Sequence, residues 1–335
     1  MGLQVIKYNY GYKDKWDRFV LNESFNGTFL QSRAFLEYHG TRFSDDSILF
    51  VEDGAIVAVC PAAELNEGGL KVFSSHCGST FGGIIIAKRC NKISDIEEIL
   101  SAFDDYLVSQ DYGKIVLKQT SEIFCSDRND LLFYLLFKNN YSHYDELSFA
   151  LPFPSGDFDI VSHFDSKRRN LYKSSLKNGL TLRELMSDDE IKEFHRILTV
   201  SLLKHNAKPV HSIGELLDLK KNRIPGFVRF YGVFYNEKMV AGSMVFLING
   251  IFHTQYLCAD PDYLFLKPMD FMDATLLQLS KEEGYLGFSF GISTEEHGQI
   301  LNENLSRYKY SFGTNYYINK TFYKTIKKIL EEQKQ

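Results

Sequence analysis

The chain has 335 residues, with 38 lysines and arginines against 43 aspartates and glutamates, a formal charge of −5. That balance gives no support for non-specific nucleic-acid binding. A hydrophobic content of 44% with 15% aromatics excludes a largely disordered chain, and the length predicts about two domains at roughly 100–200 residues each.

The five cysteines, Cys60, Cys77, Cys90, Cys125 and Cys258, are scattered and form no pair with zinc spacing, so reduced thiols and no metal are expected. The first residues, MGLQVIKYNYGYKDKW, lack the apolar core of a secretory signal. No stretch approaches 18 apolar residues. A cytoplasmic protein without membrane insertion is the expectation.

In chain order, LQVIKY (3–8) reads as a strand leading to a helix near residues 15–21. SILFVEDGAIVAVCPAAEL follows as two strands about an Asp53-Gly54 turn. SSHCGSTFGG (74–83) is a small-residue loop. It reads either as a tight turn with a bulge or as a place where backbone approaches a ligand closely, with His76 and Thr80 as its polar candidates. Ser94 and Glu97 have capping-box spacing, and Ile96, Ile99, Leu100, Phe103 and Leu107 form a helical stripe. Gly113 ends that helix, and a strand over 114–118 follows.

Proline, glycine and serine cluster in LPFPSGDFD (151–159), which predicts the junction between halves. SKRRNLYKSSLKNG (166–179) predicts a basic helix closed by Gly179. Such a face is either solvated or holds phosphate, to which arginine binds bidentately. LTLREL then leads to a helix opened by the capping box Ser187/Glu190, with Ile191, Phe194, Leu198 and Leu202 as its stripe. In KPVHSIGEL, Ser212 and Glu215 form another capping box. His211 stands just before it, where an apolar staple residue is common.

RFYGVFYNEKMVAGSMVFLI is again strand, turn, strand. Asn249-Gly250 predicts a two-residue hairpin turn. In a regular strand, Ile251, His253, Gln255 and Leu257 share one face, and Phe252, Thr254, Tyr256 and Cys258 the other. His253 and Gln255 are either a satisfied buried pair or the wall of a substrate site. Pro268 suits the first turn of a helix with the stripe Met269, Met272, Leu276 and Leu279. Gly284 ends it, and a strand over 287–291 follows. Each half therefore reads as strand, helices, hairpin, strand, helix, strand. The expectation is an α/β protein of two tandem modules, 1–150 and 151–335, each a mixed, mostly antiparallel sheet flanked by helices.

SKRRNLYKSSLKNGLTLREL, PVHSIGEL, IFHTQYLCADPDY and FGISTEEHGQILNENLSRYKYSFGT resemble the GNAT N-acyltransferases. The tandem arrangement resembles the Fem-type aminoacyl transferases and their relatives that use acyl-coenzyme A. Within that group the chain is most similar to enzymes that acylate amino sugars on nucleotide carriers in bacterial surface polysaccharide pathways, such as those for O-antigen and lipopolysaccharide. The resemblance implies transfer of an acetyl or short hydroxyacyl group, such as 3-hydroxybutanoyl, from acyl-coenzyme A to the amine of a nucleotide-linked amino sugar. It implies catalysis in the second module only, by a monomer or homodimer.

On that resemblance His253 is the expected general base, with His211 in reserve. Gln255, Glu215, Arg168, Arg169, Lys309, Tyr308, His76 and Thr80 are expected to face substrate. Tyr256, Leu257, Cys258 and Lys267 are expected to face coenzyme A. Two departures stand out. The stretch ADPDYLFLKPMDF has no glycine where many GNAT proteins carry a glycine-rich pyrophosphate loop, and Lys309 stands where a tyrosine often protonates the leaving thiolate. A Fem-type ligase using aminoacyl-tRNA on a peptidoglycan precursor is the alternative and would bring in nucleic acid. A non-catalytic scaffold is the third reading.

Overall fold

Asp53 and Gly54 both take positive φ, 48° and 81°, the left-handed pair whose twist matches that of flanking strands. The computed structural model describes residues 2–326 apart from His76, Asp157 and His205, so the expectation placed on His76 lies outside the described residues. In the first part of the chain, β1 (Gln4–Lys7) pairs antiparallel with β2 (Ile48–Glu52), which the Asp53-Gly54 turn joins to β3 (Ala55–Cys60). A second hairpin, β4 (Ala63–Glu67) and β5 (Leu70–Ser74), follows. The chain then crosses through α1 (Ile93–Ser109) to β6 (Lys114–Lys118), which lies parallel to β5. A parallel pair requires such a crossover.

The predicted stripe of α1 is buried as Ile96, Ile99, Leu100, Phe103 and Leu107. The predicted Ser94/Glu97 capping box does not form. The helix starts at Ile93 with Lys92 as an N-cap that makes no side-chain bond. Ser94 therefore already lies inside the first turn and bonds Asp95 Oδ1 at 2.9 Å, while Glu97 pairs with Lys138. Helix α2 (Asp130–Lys138) and β7 (Ser142–Pro152) complete this part.

The second part begins with α3 (Ser166–Ser175), closed beyond Asn178 by Gly179 in the left-handed region (φ 67°). Strand β8 (Thr181–Glu184), α4 (Asp188–Leu203) and α5 (Ile213–Asp218) follow. Both helices carry the predicted capping boxes, Ser187/Glu190 and Ser212/Glu215. β8, β9 (Val228–Tyr235), β10 (Lys238–Ile248) and β11 (Ile251–Ala259) run antiparallel in that order. After α6 (Pro268–Glu282), β12 (Gly287–Ile292) lies parallel to β11 and antiparallel to β7. Helix α7 (Glu303–Tyr310) and β13 (Asn315–Thr325) end the described chain.

The chain divides into two compact units, Met1–Glu146 with the segment from Ile318 onward, and Leu147–Tyr317. The second module expected from the sequence, 151–335, is continuous. The return after Tyr317 has a local cause: Thr321–Thr325 pair with β6 and close an edge that would otherwise expose ladder groups. Each unit has its own core. One gathers Trp16, Phe50, Phe73, Phe103 and Leu117. The other gathers Phe252, Met272, Leu276, Phe288 and Phe312. Both units contain mixed strand pairing flanked by helices, and in the first β1, β2 and β3 belong to a separate antiparallel sheet. Among the described residues no helix is long and apolar enough to cross a membrane, and no group of three His, Cys, Asp or Glu could hold a metal ion.

Candidate active site

The Asn249-Gly250 turn (φ 47° and 82°) launches β11 against two neighbours at once. On one side β11 pairs with β10 along its whole length. On the other it pairs with β12 only over Ile251↔Gly287, Phe252↔Phe288 and His253↔Ser289. Beyond those three pairs β12 continues against β7 as far as Ile292. The two parallel strands thus part after His253 and Ser289. Thr254 closes the end of their ladder by donating its hydroxyl to Ser289 O at 3.2 Å. The first unit contains the same short parallel ladder, Val72↔Lys114, Phe73↔Ile115 and Ser74↔Val116. Its last pair is serine and valine where the second unit has histidine and serine.

The pairing of β10 with β11 slips between Met244↔Tyr256 and Val245↔Thr254, leaving Gln255 unmatched. Gln255 is the extra residue of a bulge, which reverses the facing of everything after it. The strict alternation expected from the sequence is therefore corrected. Leu257 packs in the same core cluster as Phe252, a five-residue separation that a regular strand would split between faces. Tyr256 instead meets His211, whose Nδ1 is 2.7 Å from its phenol oxygen. Burial pushes the Tyr256 phenol up to about 12. Cys258 is buried with its Sγ 3.4 Å from Gly242 O, and burial pushes its thiol well up.

His253 is buried, with Nδ1 3.0 Å from Ser289 Oγ. Burial, aided by the nearby charge of Lys309, brings its pKa down to about 4, so the imidazole is neutral at pH 7. Gly291 makes room for the ring. It sits at φ 70°, and a Cβ there would lie 3.3 Å from His253 Cε1. Gly291→Ala is expected to cost about 1–3 kcal/mol in thermal or urea unfolding, from left-handed backbone strain and displacement of the imidazole. An unchanged melting temperature would show that the position is relaxed.

Lys309 reaches the same strand end from α7. Its ammonium donates to the carbonyls of Gly291 (3.2 Å) and Ile292. Burial brings its pKa down to about 7, with Asp273 opposing. Asp273, on the inner face of α6, accepts a 2.6 Å bond from the Tyr308 phenol on Oδ2 and has no partner on Oδ1. It is fully buried, and burial raises its carboxyl to about 7. Arg168, from α3, stacks 4.2 Å from the Tyr308 ring and 4.5 Å from the Phe312 ring. Its Nε donates to Ser311 Oγ at 2.8 Å, and its Nη1 pairs with Asp270 in the first turn of α6.

Of the residues expected from sequence, His253, Lys309, Tyr308 and Arg168 join one buried polar cluster. His211 and Tyr256 form a second contact on the same strand. Asp273, Asp270 and Ser289 belong to the first cluster but were not expected. Asp273 was legible as an acid set among Met269, Met272, Leu276 and Leu279 on the apolar stripe of its helix. Arg169 turns away from the cluster to the carbonyls of Ser162 (2.8 Å) and Phe164 (2.9 Å). Glu215 accepts from the amide (2.7 Å) and hydroxyl (2.9 Å) of Ser212 as its helix cap. Thr80 is half-buried in the first unit.

The end of α6 tests the fit of a coenzyme A pyrophosphate. A helix N-terminus favours an anion. Here Lys267 is the N-cap in left-handed conformation (φ 58°), with its amine 3.0 Å from Ser174 Oγ. The first turn already carries the Asp270 carboxylate, paired with Arg168, and the segment before it adds Asp260 and Asp262. Arg168 is engaged by Asp270, and Arg196 and Lys238 each lie 3.9 Å from Asp260, so these cations are already matched by carboxylates and the place does not fit a pyrophosphate.

Residues 165–310 match the family model of the GNAT acetyltransferase domain. No curated protein matches the chain. Among solved structures, FemX is similar with a TM-score of 0.70 at 12% identity, over 95% of this chain and 96% of that one. L-PGS from Bacillus licheniformis is similar at 0.60 and 14% identity, over 95% and 94%. A tandem GNAT protein from the clavulanic acid biosynthesis pathway is similar at 0.52 and 8%, over 98% and 99%. These likenesses are of fold. With the domain match, the chain carries a GNAT acyltransferase fold.

Proposed function

We propose that this protein is an N-acyltransferase that forms an amide on the amine of a nucleotide-linked amino sugar for bacterial surface polysaccharide. In this reading the acyl group is an acetyl or short hydroxyacyl thioester. The observation that carries it is the parting of β11 and β12 at His253 and Ser289, with Lys309 set at the same strand end. Amide formation requires removal of a proton from the attacking amine and delivery of one to the leaving group. The neutral imidazole of His253 is suited to the first task. The Lys309 ammonium, with a pKa near working pH, is suited to the second. Tyr308, held by Asp273, positions the helix that presents Lys309.

A second reading, transfer of an aminoacyl group from tRNA, is favoured by the carboxylate at the start of α6, because an aminoacyl ester needs no pyrophosphate there. One assay separates them. Purified protein is incubated with acyl-coenzyme A species and a panel of nucleotide amino sugars, and thiol release and product mass are followed. Turnover supports the first reading. No turnover with any pair, with transfer from charged tRNA, replaces it by the second. Inertness with both sinks the enzymatic proposal.

A further inference from the structure

Two cavities of similar size lie in the second unit, and their linings differ in charge. One, of about 470 Å³, is walled by Glu184, Glu282 and Glu283 against Arg183, which repels anions. The other, of about 530 Å³, lies between the first turns of α3 and the length of α7 and is lined by Lys167, Arg168 and Arg307 against Asp165 alone. Asp165 is engaged as the cap of α3, accepting from the Arg168 amide at 2.6 Å. Arg168 is committed inward to Asp270 and Ser311. Arg307 pairs with Glu303 at 2.6 Å, and both side chains are largely exposed. A pair so exposed holds its members weakly, so the guanidinium is available to an anion.

Tyr310 lines the same cavity and remains 53% exposed. It stacks on Tyr316, itself 58% exposed, with ring centroids 5.3 Å apart and planes within 1°. Tyr316 is seated edge-on against buried Phe149 at 5.5 Å. Two parallel aromatic rings left open to solvent beside a basic cavity are the elements of base stacking and phosphate binding.

We infer that this cavity is a nucleotide site, in which Lys167 and Arg307 hold the two phosphates of a nucleoside and its base stacks on Tyr310. The inference rests on the proposed function only for the source of the nucleotide. A nucleotide-linked acceptor and a coenzyme A donor both carry a nucleoside with phosphates, and the test distinguishes them.

Isothermal titration of the full chain with uridine diphosphate, adenosine 3′,5′-bisphosphate and inorganic pyrophosphate is the experiment. Tyr310→Ala is expected to weaken the nucleotide that binds by about tenfold, the scale of one lost stacking contact, while leaving pyrophosphate unchanged. That retained binding also shows that the variant is folded. Lys167→Ala with Arg307→Ala is expected to weaken every probe and to flatten the salt dependence of binding. Tighter binding of uridine diphosphate assigns the site to the acceptor, and tighter binding of the adenosine compound assigns it to the donor.

Failure of both nucleotides to bind overturns the inference. So does equal affinity in wild type and the triple variant that combines Lys167→Ala, Arg307→Ala and Tyr310→Ala. Nucleotide binding that responds to these substitutions, without acyl transfer to any acceptor, keeps the site and removes the proposed function. Acyl transfer with an unchanged KM in the triple variant does the reverse.

Discussion

His253→Ala is expected to lower kcat by about 10²–10⁴, the range for loss of a positioned general base. The imidazole is fixed through Ser289 Oγ at 3.0 Å and kept neutral by burial, its pKa down at about 4. A group so placed is available to accept a proton at every pH above about 5. It does so at a cost, because forming the buried cation is unfavourable, and the amine must supply part of that driving force. Removing the ring also leaves Ser289 without this partner and a void beside Gly291. The buried setting implies a loss of about 1–3 kcal/mol in stability. His253→Gln fills more of the void and keeps a group able to bond Ser289. It should recover much of the stability and little of the activity. Rates by product mass and melting temperatures of both variants check this. Full activity in either one removes His253 from the chemistry.

Much of the frame around this residue was legible in the sequence, because local signals there agree with the tertiary structure. Asn249-Gly250 makes the predicted turn. Ser187/Glu190 and Ser212/Glu215 make the predicted caps, and Pro268 opens the predicted helix. Ser94/Glu97 had the same spacing but not the same outcome, since the helix starts two residues earlier than that box requires. The bulge at Gln255 was invisible because nothing in IFHTQYLCA marks an extra residue. It is fixed by how β10 and β11 register, and it sends Tyr256 to His211 and Leu257 to the core. The parting of the strands was likewise unreadable, since it depends on where β12 transfers its pairing to β7. Asp273 is the instructive omission. An acid on an apolar stripe is costly unless it has a partner, and its partner, Tyr308, lies 35 residues away on another helix.

Lys309→Met is expected to cut the rate by about 10²–10⁴ and to remove the alkaline limb of the pH profile. Lys309 is held down at about 7 by burial, so in the wild-type protein the ammonium that would protonate the leaving group is lost as pH rises through 7. The rate should fall there, and in the variant that fall should vanish. A wild-type rate that instead climbs through pH 7, and a variant that loses the climb, would make Lys309 the base. The same groups leave opposite marks on stability. The folded state releases the Lys309 proton near pH 7 and the unfolded chain releases it near 10.5, so this group makes the fold more stable as pH rises between those values. Asp273 has its folded pKa raised from 3.8 to about 7. The folded state then keeps a proton the unfolded chain has lost, and this contribution makes the fold less stable as pH rises from about 4 to 7. His253, lowered from 6.5 to about 4, opposes it over about 4–6.5. Asp273→Asn keeps an acceptor for the Tyr308 phenol while deleting the titration. Its melting temperature relative to wild type should therefore climb steadily from pH 4 to 7 and level off above. A difference that stays flat across that range would mean that Asp273 is ionised throughout, with Lys309 or Arg168 holding its charge in place.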